Sequence, residues 1–279
     1  MSHTVSVHWL RNRMQFDETL AIIDTRYDLN DPSLGRSLYE ESHIPGAIYF
    51  DLKEHLSGKV EKHGGSHPLP SIESFAKTLG ENGIDNITTV IVYDEGNNMY
   101  ASRAWWMLHY MGHKAVYVLD GGLNEWVNKG YDVTDEIPKR KPKKFSPEPL
   151  NVVVNIDKLK QKLQNKSAIL IDSRSRERYL GEEEPLYHKA GHIPGAKNFF
   201  WQEVFNDVGL WKSPKQLEKH FSSLKKTDEI IVSCGSGVSA CPNIVALKMA
   251  GYENVKLYPG SFSDWISYDD NPLVTGDEE

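Results

Sequence analysis

Cysteine is nearly absent: the chain carries two, Cys234 and Cys241, seven positions apart. Two thiols exclude a disulfide-stapled extracellular scaffold and suit a reducing compartment, so a cytoplasmic protein is expected. Long hydrophobic runs are also missing. No stretch approaches the ~18 apolar residues that cross a bilayer, and residues 1–10 lack a basic segment followed by an apolar one. Positive charge is not in excess either. With 32 Lys and Arg against 39 Asp and Glu, the formal charge is -7, which gives no electrostatic reason to bind nucleic acid or an anionic membrane. Any anion site has to be local.

What is present describes an ordinary globular protein, with 39% hydrophobic, 25% charged and 10% aromatic residues. At 279 residues the length suggests two compact units, on a prior of roughly 150 residues each. A repeat divides the chain. His43-Ile44-Pro45-Gly46-Ala47 returns as His192-Ile193-Pro194-Gly195-Ala196, and the pair Asp24/Arg26 returns as Asp172/Arg174, each closing an apolar run. Gly112, Gly121 and Trp126 recur as Gly251, Gly260 and Trp265. The chain therefore reads as an internal duplication, with copies over 1–134 and 151–279 and a linker over 135–150. That linker holds four prolines and the cluster Lys139, Arg140, Lys141, Lys143 and Lys144, which predicts a semi-extended, solvated connection.

Within each copy, short β-branched runs alternate with helical patterns. Strands are expected over 20–23, 90–93 and 116–119 and, in the second copy, over 168–171, 230–233 and 255–258. Helices are expected over 102–111 and 242–250, each ending at a glycine, Gly112 or Gly251. This alternation predicts the α/β class, with one parallel sheet per copy and helices on both faces. The aromatic set Trp105, Trp106, Phe199, Phe200 and Trp201 reads as packing between the copies, with a partner surface as the alternative.

Cys234 directly follows the strand Ile230-Ile231-Val232-Ser233, and Gly235-Ser236-Gly237-Val238-Ser239-Ala240 lead into a helix. Ligands of α/β sheets bind beyond the carboxyl ends of strands, where loop N–H groups and a helix N-terminus converge. Such donors stabilise a thiolate, and Gly235 and Gly237 permit the φ values that turn consecutive N–H groups inward. A buried core cysteine is the competing reading for Cys234. Cys241, on the first helical turn, reads as structural or redox-regulatory.

The paired His-Ile-Pro-Gly-Ala motifs and the Cys234 loop resemble the tandem rhodanese-domain sulfurtransferases over nearly the whole chain. That resemblance implies two tandem rhodanese-like domains, the first catalytically inert because Asp94 stands where the second has Cys234. It also implies a persulfide mechanism. The Cys234 thiolate attacks the outer sulfur of a small-molecule donor, and the sulfur passes to cyanide or to a thiol acceptor such as a thioredoxin-like protein, with no metal or organic cofactor. The backbone N–H groups of Gly235, Gly237, Val238, Ser239 and Ala240 would cradle the persulfide and the departing anion.

The loop Cys-Gly-Ser-Gly-Val-Ser is similar to that of members using 3-mercaptopyruvate and unlike the doubly basic loop of members using thiosulfate. The same resemblance assigns substrate binding to Arg178, as a carboxylate clamp, and a serine, histidine, acid relay to Ser236 and His67. The acid of that relay falls on Lys53, with Asp51 or Glu54 as substitutes. A second family arginine falls on Leu186, with His188 or Lys189 as replacements. An ion pair with a neighbouring glutamate is the structural alternative for Arg178, and both Asp-x-Arg pairs read as fold stability. His63/His67 and His188/His192 do not form a metal pair on one helix face. His43 and His192 read as turn hydrogen bonding. Competing functions are a thiosulfate-preferring enzyme and a non-enzymatic persulfide carrier. A cysteine phosphatase is excluded, because Ala240 stands where its arginine would be.

Overall fold

The computed structural model describes residues 3–277. The chain forms two compact units that do not follow it in simple order. The first takes the chain up to Gly58, Pro70–Leu150 and Asp207–Trp211, and the second takes Lys59–Leu69, Asn151–Asn206 and the chain from Lys212 onward.

The first unit runs β1 (Thr4–Val5), α1 (Val7–Arg13), β2 (Ala21–Asp24), α2 (Leu34–Glu41), β3 (Ala47–Tyr49), α3 (Ile72–Glu81), β4 (Val90–Tyr93), α4 (Met99–Tyr110), β5 (Val116–Leu119) and α5 (Gly122–Asn128). The second runs α6 (Ile156–Gln164), β6 (Ile169–Asp172), α7 (Arg176–Leu180), β7 (Ala196–Asn198), a 3-10 turn Trp201–Val204, α8 (Pro214–His220), β8 (Ile230–Ser233), α9 (Ala240–Met249), β9 (Val255–Leu257) and α10 (Ser261–Trp265). Both sheets are parallel, in the orders β1-β5-β4-β2-β3 and β7-β6-β8-β9. Without the extra edge strand β1, the two orders are the same. The central strands β4 and β8 are buried along their whole length, as strands covered on both faces must be, which is why they read Val-Ile-Val-Tyr and Ile-Ile-Val before the buried Ser233.

The duplication is exact enough to repeat single hydrogen bonds. Gly112 and Gly251, both at φ +84°, close α4 and α9. In each, the glycine N–H and the next N–H reach back to successive carbonyls: Gly112 to His109 and His113 to Leu108, Gly251 to Lys248 and Tyr252 to Leu247. Buried His43 and His192 bond by Nδ1 to the carbonyls of Tyr39 and Tyr179, whose rings stack on them. Trp126 and Trp265 donate to the carbonyls of Asp132 and Pro272.

Three sequence expectations change. First, β2 and β6 end one residue later than their apolar runs. The backbones of Asp24 and Asp172 still pair with both neighbouring strands, while the carboxylates turn to Arg26 and Arg174. α9 likewise starts at Ala240, because proline is tolerated in a first turn, where its missing N–H has no intrahelical partner.

Second, 135–150, without helix or strand and exposed along most of its length as expected, is also docked. It packs on the first unit, with Phe145 buried, Lys143 N–H donating to the Gly80 carbonyl at 2.8 Å, and Asn86 exchanging two bonds with the Ser146 backbone. Third, Trp105 and Trp106 are buried, and Trp105 is tied into the first unit itself, donating to the Val116 carbonyl at 3.2 Å.

The segment Lys59–Leu69 is a strap on the second unit. Gly64 N–H donates to Asp264 at 2.7 Å, Ser66 N–H to Ser263 at 3.0 Å, and His63 bonds Ser267 at 2.7 Å. Gly65, at φ +87°, allows the approach, since a Cβ there would lie 2.5 Å from the Gly260 carbonyl oxygen.

Candidate active site

Cys234 leaves the carboxyl end of β8 and is 1% exposed. Its backbone is pinned on both sides. Its N–H donates to Ser261 Oγ at 3.0 Å, and its carbonyl accepts from Phe262 N–H at the start of α10, as that of Gly235 does from Ser263. The chain then curls round the sulfur, and Gly237 N–H donates to Cys234 Sγ at 3.1 Å. The curl needs glycine at 237, where φ is +77° and a Cβ would lie 2.3 Å from the Pro259 carbonyl oxygen. Val238 is buried and its carbonyl accepts Cys241 N–H; Ser239 is the residue before α9 and Ala240 its first residue. Cys241 is buried within α9, its Sγ 3.4 Å from the Gly237 carbonyl.

The matching loop of the first unit shows what such a junction holds. Asp94, at the end of β4, accepts N–H bonds from Gly96, Asn98, Tyr100 and Ala101 at 2.9 to 3.1 Å. Burial pushes its carboxyl up, against these four donors that favour the charged form. The same strand, loop and helix junction thus cradles a carboxylate in the first unit and presents a sulfur in the second.

Arg178 of α7 is carried to this loop. A Cβ on Gly235 would lie 3.5 Å from Arg178 Nη2 and 3.0 Å from the hydroxyl of Tyr187, so both side chains face the residue after Cys234. The ion pair considered as the alternative for Arg178 also exists: Nη2 and Nε bond Glu184 at 2.8 and 3.2 Å. The two readings are compatible, because a guanidinium held on one edge by a buried carboxylate keeps its remaining N–H groups directed. Glu184 in turn accepts from Arg174 Nη1 at 3.1 Å and from Leu186 N–H.

Arg174 is buried and grips Asp172 through Nε and Nη2. It also donates to the Gly191 carbonyl and lies 3.9 Å from the Phe262 ring centroid. Burial pulls its pKa down, but Asp172, Glu184 and the nearby Cys234 outweigh that and raise it. Asp24 and Arg26 repeat the grip in the first unit. Both pairs tie a strand end to the following chain.

The strap brings His67 to Ser236, Nδ1 to Oγ at 2.8 Å, so this part of the expected relay is assembled within the second unit. The acidic member is not where the sequence suggested. Lys53 is exposed, Asp51 accepts the N–H groups of Lys53 and Glu54, and Glu54 pairs with Arg36. For the second arginine, Leu186 is 56% exposed, His188 is exposed and Lys189 donates to the Ile266 carbonyl. Two residues escaped the sequence reading: Tyr187 and Ser66. Tyr187 lies near Ser66 and Ser236, whose hydroxyls favour its anion, but burial, with Cys234 nearby, outweighs them and pushes its phenol up. Glu184 is one of the neighbouring glutamates expected as an ion-pair partner of Arg178.

With this geometry in view, the comparisons are specific. Residues 6–129 and 155–268 each match the model of the rhodanese-like domain. A probable 3-mercaptopyruvate sulfurtransferase of Pseudomonas aeruginosa is 39% identical over 264 residues, covering 92% of this chain and 93% of that protein. The thiosulfate sulfurtransferase of Cricetulus griseus is 34% identical, covering 94% and 91%. Among solved structures, the crystal structure of SseA from Escherichia coli, a 3-mercaptopyruvate sulfotransferase of rhodanese fold, superposes with a TM-score of 0.84. It is 33% identical, covering 94% of this chain and 100% of that one.

Proposed function

The chain belongs to the rhodanese family, with a rhodanese-like domain in each half, and on that premise we propose a sulfurtransferase that carries sulfane sulfur as a persulfide on Cys234. The observation that carries this reading is the buried Sγ at the end of β8, held by the Gly237 N–H inside the loop whose counterpart cradles the Asp94 carboxylate. The catalytic domain of the proposal is 151–279, completed by the strap that supplies His67, and the domain over 1–134 is its inert copy. The reading includes a reducing, cytoplasmic setting in which Cys234 stays a thiol.

In the first half-reaction the thiolate attacks the sulfur of 3-mercaptopyruvate. The Sγ–S bond forms as the C3–S bond breaks, the electron pair passes to C3 and onto the C2 oxygen as the pyruvate enolate, and the donor's thiol proton completes the methyl group. The products are pyruvate and a Cys234 persulfide anion. In the second half-reaction cyanide or a thiol takes the outer sulfur and regenerates the thiolate. The N–H groups of Gly235, Gly237, Val238, Ser239 and Ala240 line the cradle for the charge on sulfur, Ser236 and His67 relay protons at the loop, and Arg178 clamps the donor carboxylate.

Mercaptopyruvate is the preferred donor in this reading because the Cys234 loop carries no cation of its own to hold a dianion, and Arg178 offers a clamp for one carboxylate. Steady-state assays with both donors test the preference. We expect a higher kcat/KM with mercaptopyruvate, and a thiosulfate value equal to or above it would reverse the assignment.

Arg178→Ala should raise KM for mercaptopyruvate about 10- to 100-fold, the worth of a charge-assisted contact, with a smaller change in kcat because a carboxylate clamp acts in the ground state too. An unchanged KM would leave Arg178 as a partner of Glu184 alone.

A further inference from the structure

We propose that Tyr187 is a catalytic hydrogen-bond donor that stabilises the enolate oxygen leaving an α-keto thiol donor. This rests on the mercaptopyruvate reading and adds to it a residue for the C2 oxygen, which neither Arg178 nor the loop amides account for.

Position is the first argument. The Tyr187 hydroxyl lies 3.0 Å, and Arg178 Nη2 3.5 Å, from the point where a Cβ on Gly235 would stand. Both donors therefore face the residue next to the nucleophile, a few ångström apart. An α-keto acid carries its carboxylate and its keto oxygen on adjacent carbons, so a guanidinium and a hydroxyl presented side by side match the two groups together. The absence of a side chain at Gly235 is what leaves room between them.

Orientation is the second. The Tyr187 ring packs on Phe262, centroids 5.9 Å apart, and carries the Arg178 guanidinium 5.7 Å from its centroid. The ring is thus fixed by the same elements that fix Cys234, since Phe262 N–H holds the Cys234 carbonyl.

Protonation is the third. Burial, with Cys234 nearby, disfavours the phenolate of Tyr187, so its hydroxyl keeps the proton that it would donate to the donor's oxygen. The C2 oxygen is a neutral ketone in the bound donor and gains charge only as the C3–S bond breaks, so a donor aimed at it acts mainly in the transition state.

Tyr187→Phe is the test, because it removes the hydroxyl and keeps the ring that packs on Phe262 and Arg178. With mercaptopyruvate, kcat should fall about 100-fold, the usual loss for one oxyanion donor, with KM little changed. With thiosulfate, whose leaving sulfite is already charged in the bound donor, kcat should stay within about 3-fold. Transfer from the preformed Cys234 persulfide to cyanide, followed in a single turnover, should match the parent.

A mercaptopyruvate kcat within about 3-fold of the parent would overturn the proposal, as would equal kcat losses with both donors, which mark a merely structural hydroxyl. Mass spectrometry of the parent after donor treatment separates the two levels of the argument. If the parent takes up no sulfur from mercaptopyruvate, the donor reading fails. If the parent is loaded and the Phe variant is loaded equally fast, only the role of Tyr187 fails.

Discussion

Cys234→Ser will reduce sulfur transfer to the background rate with either donor, a loss of at least about 10⁴-fold on the scale set by removing a nucleophile from an intact site. The serine oxygen is nearly isosteric with sulfur and is expected to accept the Gly237 N–H, so the loop should keep its shape and the thermal midpoint should stay within a few degrees. What disappears is chemical. A hydroxyl is far less acidic than a thiol, and an oxygen cannot hold the sulfane sulfur.

Two measurements check this: steady-state transfer to cyanide, and the intact mass after donor treatment, which should rise by one sulfur atom in the parent and not in the variant. A sulfur adduct or residual transfer in Cys234→Ser would place the carrier elsewhere. Cys241 is the other thiol, and a Cys241→Ser variant that keeps parental transfer would exclude it. Buried in α9 with its Sγ against the Gly237 carbonyl, Cys241 supports the loop from behind.

Arg174→Met is expected to cost the second unit about 3–5 kcal/mol, the usual penalty for removing one member of a buried ion network. The methionine fills much of the volume and can still touch Phe262, so the loss is electrostatic. Asp172, bound through Nε and Nη2, and the Gly191 carbonyl lose their donor, while Glu184 keeps Arg178. The equivalent Arg26→Met should cost the first unit less. Arg26 also grips one buried aspartate and two carbonyls, but its second acid, Glu95, is exposed and 3.7 Å away. For units of this size the larger loss corresponds to a drop in midpoint of roughly 10 °C. Calorimetry of both variants reads the two units separately, since a two-unit protein need not unfold in one step. A cost below about 1 kcal/mol for Arg174→Met would show that Asp172 and Glu184 are held by other groups.

Apolar runs were enough to locate all four central strands to within a residue, because each lies in a parallel sheet covered on both faces and is apolar along most of its length. Repetition was enough to find the duplication and, from it, the pairing of Asp94 with Cys234. The reading failed where a residue's partner is distant in sequence. The strap over 59–69 is short, polar and rich in glycine, and nothing in its composition says which unit it joins. That it carries His67 to Ser236, 169 positions away, follows from backbone bonds to Asp264 and Ser263. The docking of the linker was not legible for a related reason. Its prolines and lysines describe its conformation and charge, but its docking depends on Gly80, a helical glycine whose missing Cβ lets the Lys143 carbonyl come close.

The amino-acid sequence by itself determined the class of fold, the twofold repeat and the one position where a thiol replaces a carboxylate, since these depend on local pattern and on comparison of the chain with itself. The tertiary structure alone decided what surrounds that thiol: Arg178 and Tyr187 facing Gly235, and Ser66 and His67 on a strap. Those residues meet only because strand ends, a helix and a distant loop converge at one edge of a sheet, and side chains as far apart as His67 and Ser236, 169 positions, leave no periodic or neighbouring signal of their meeting.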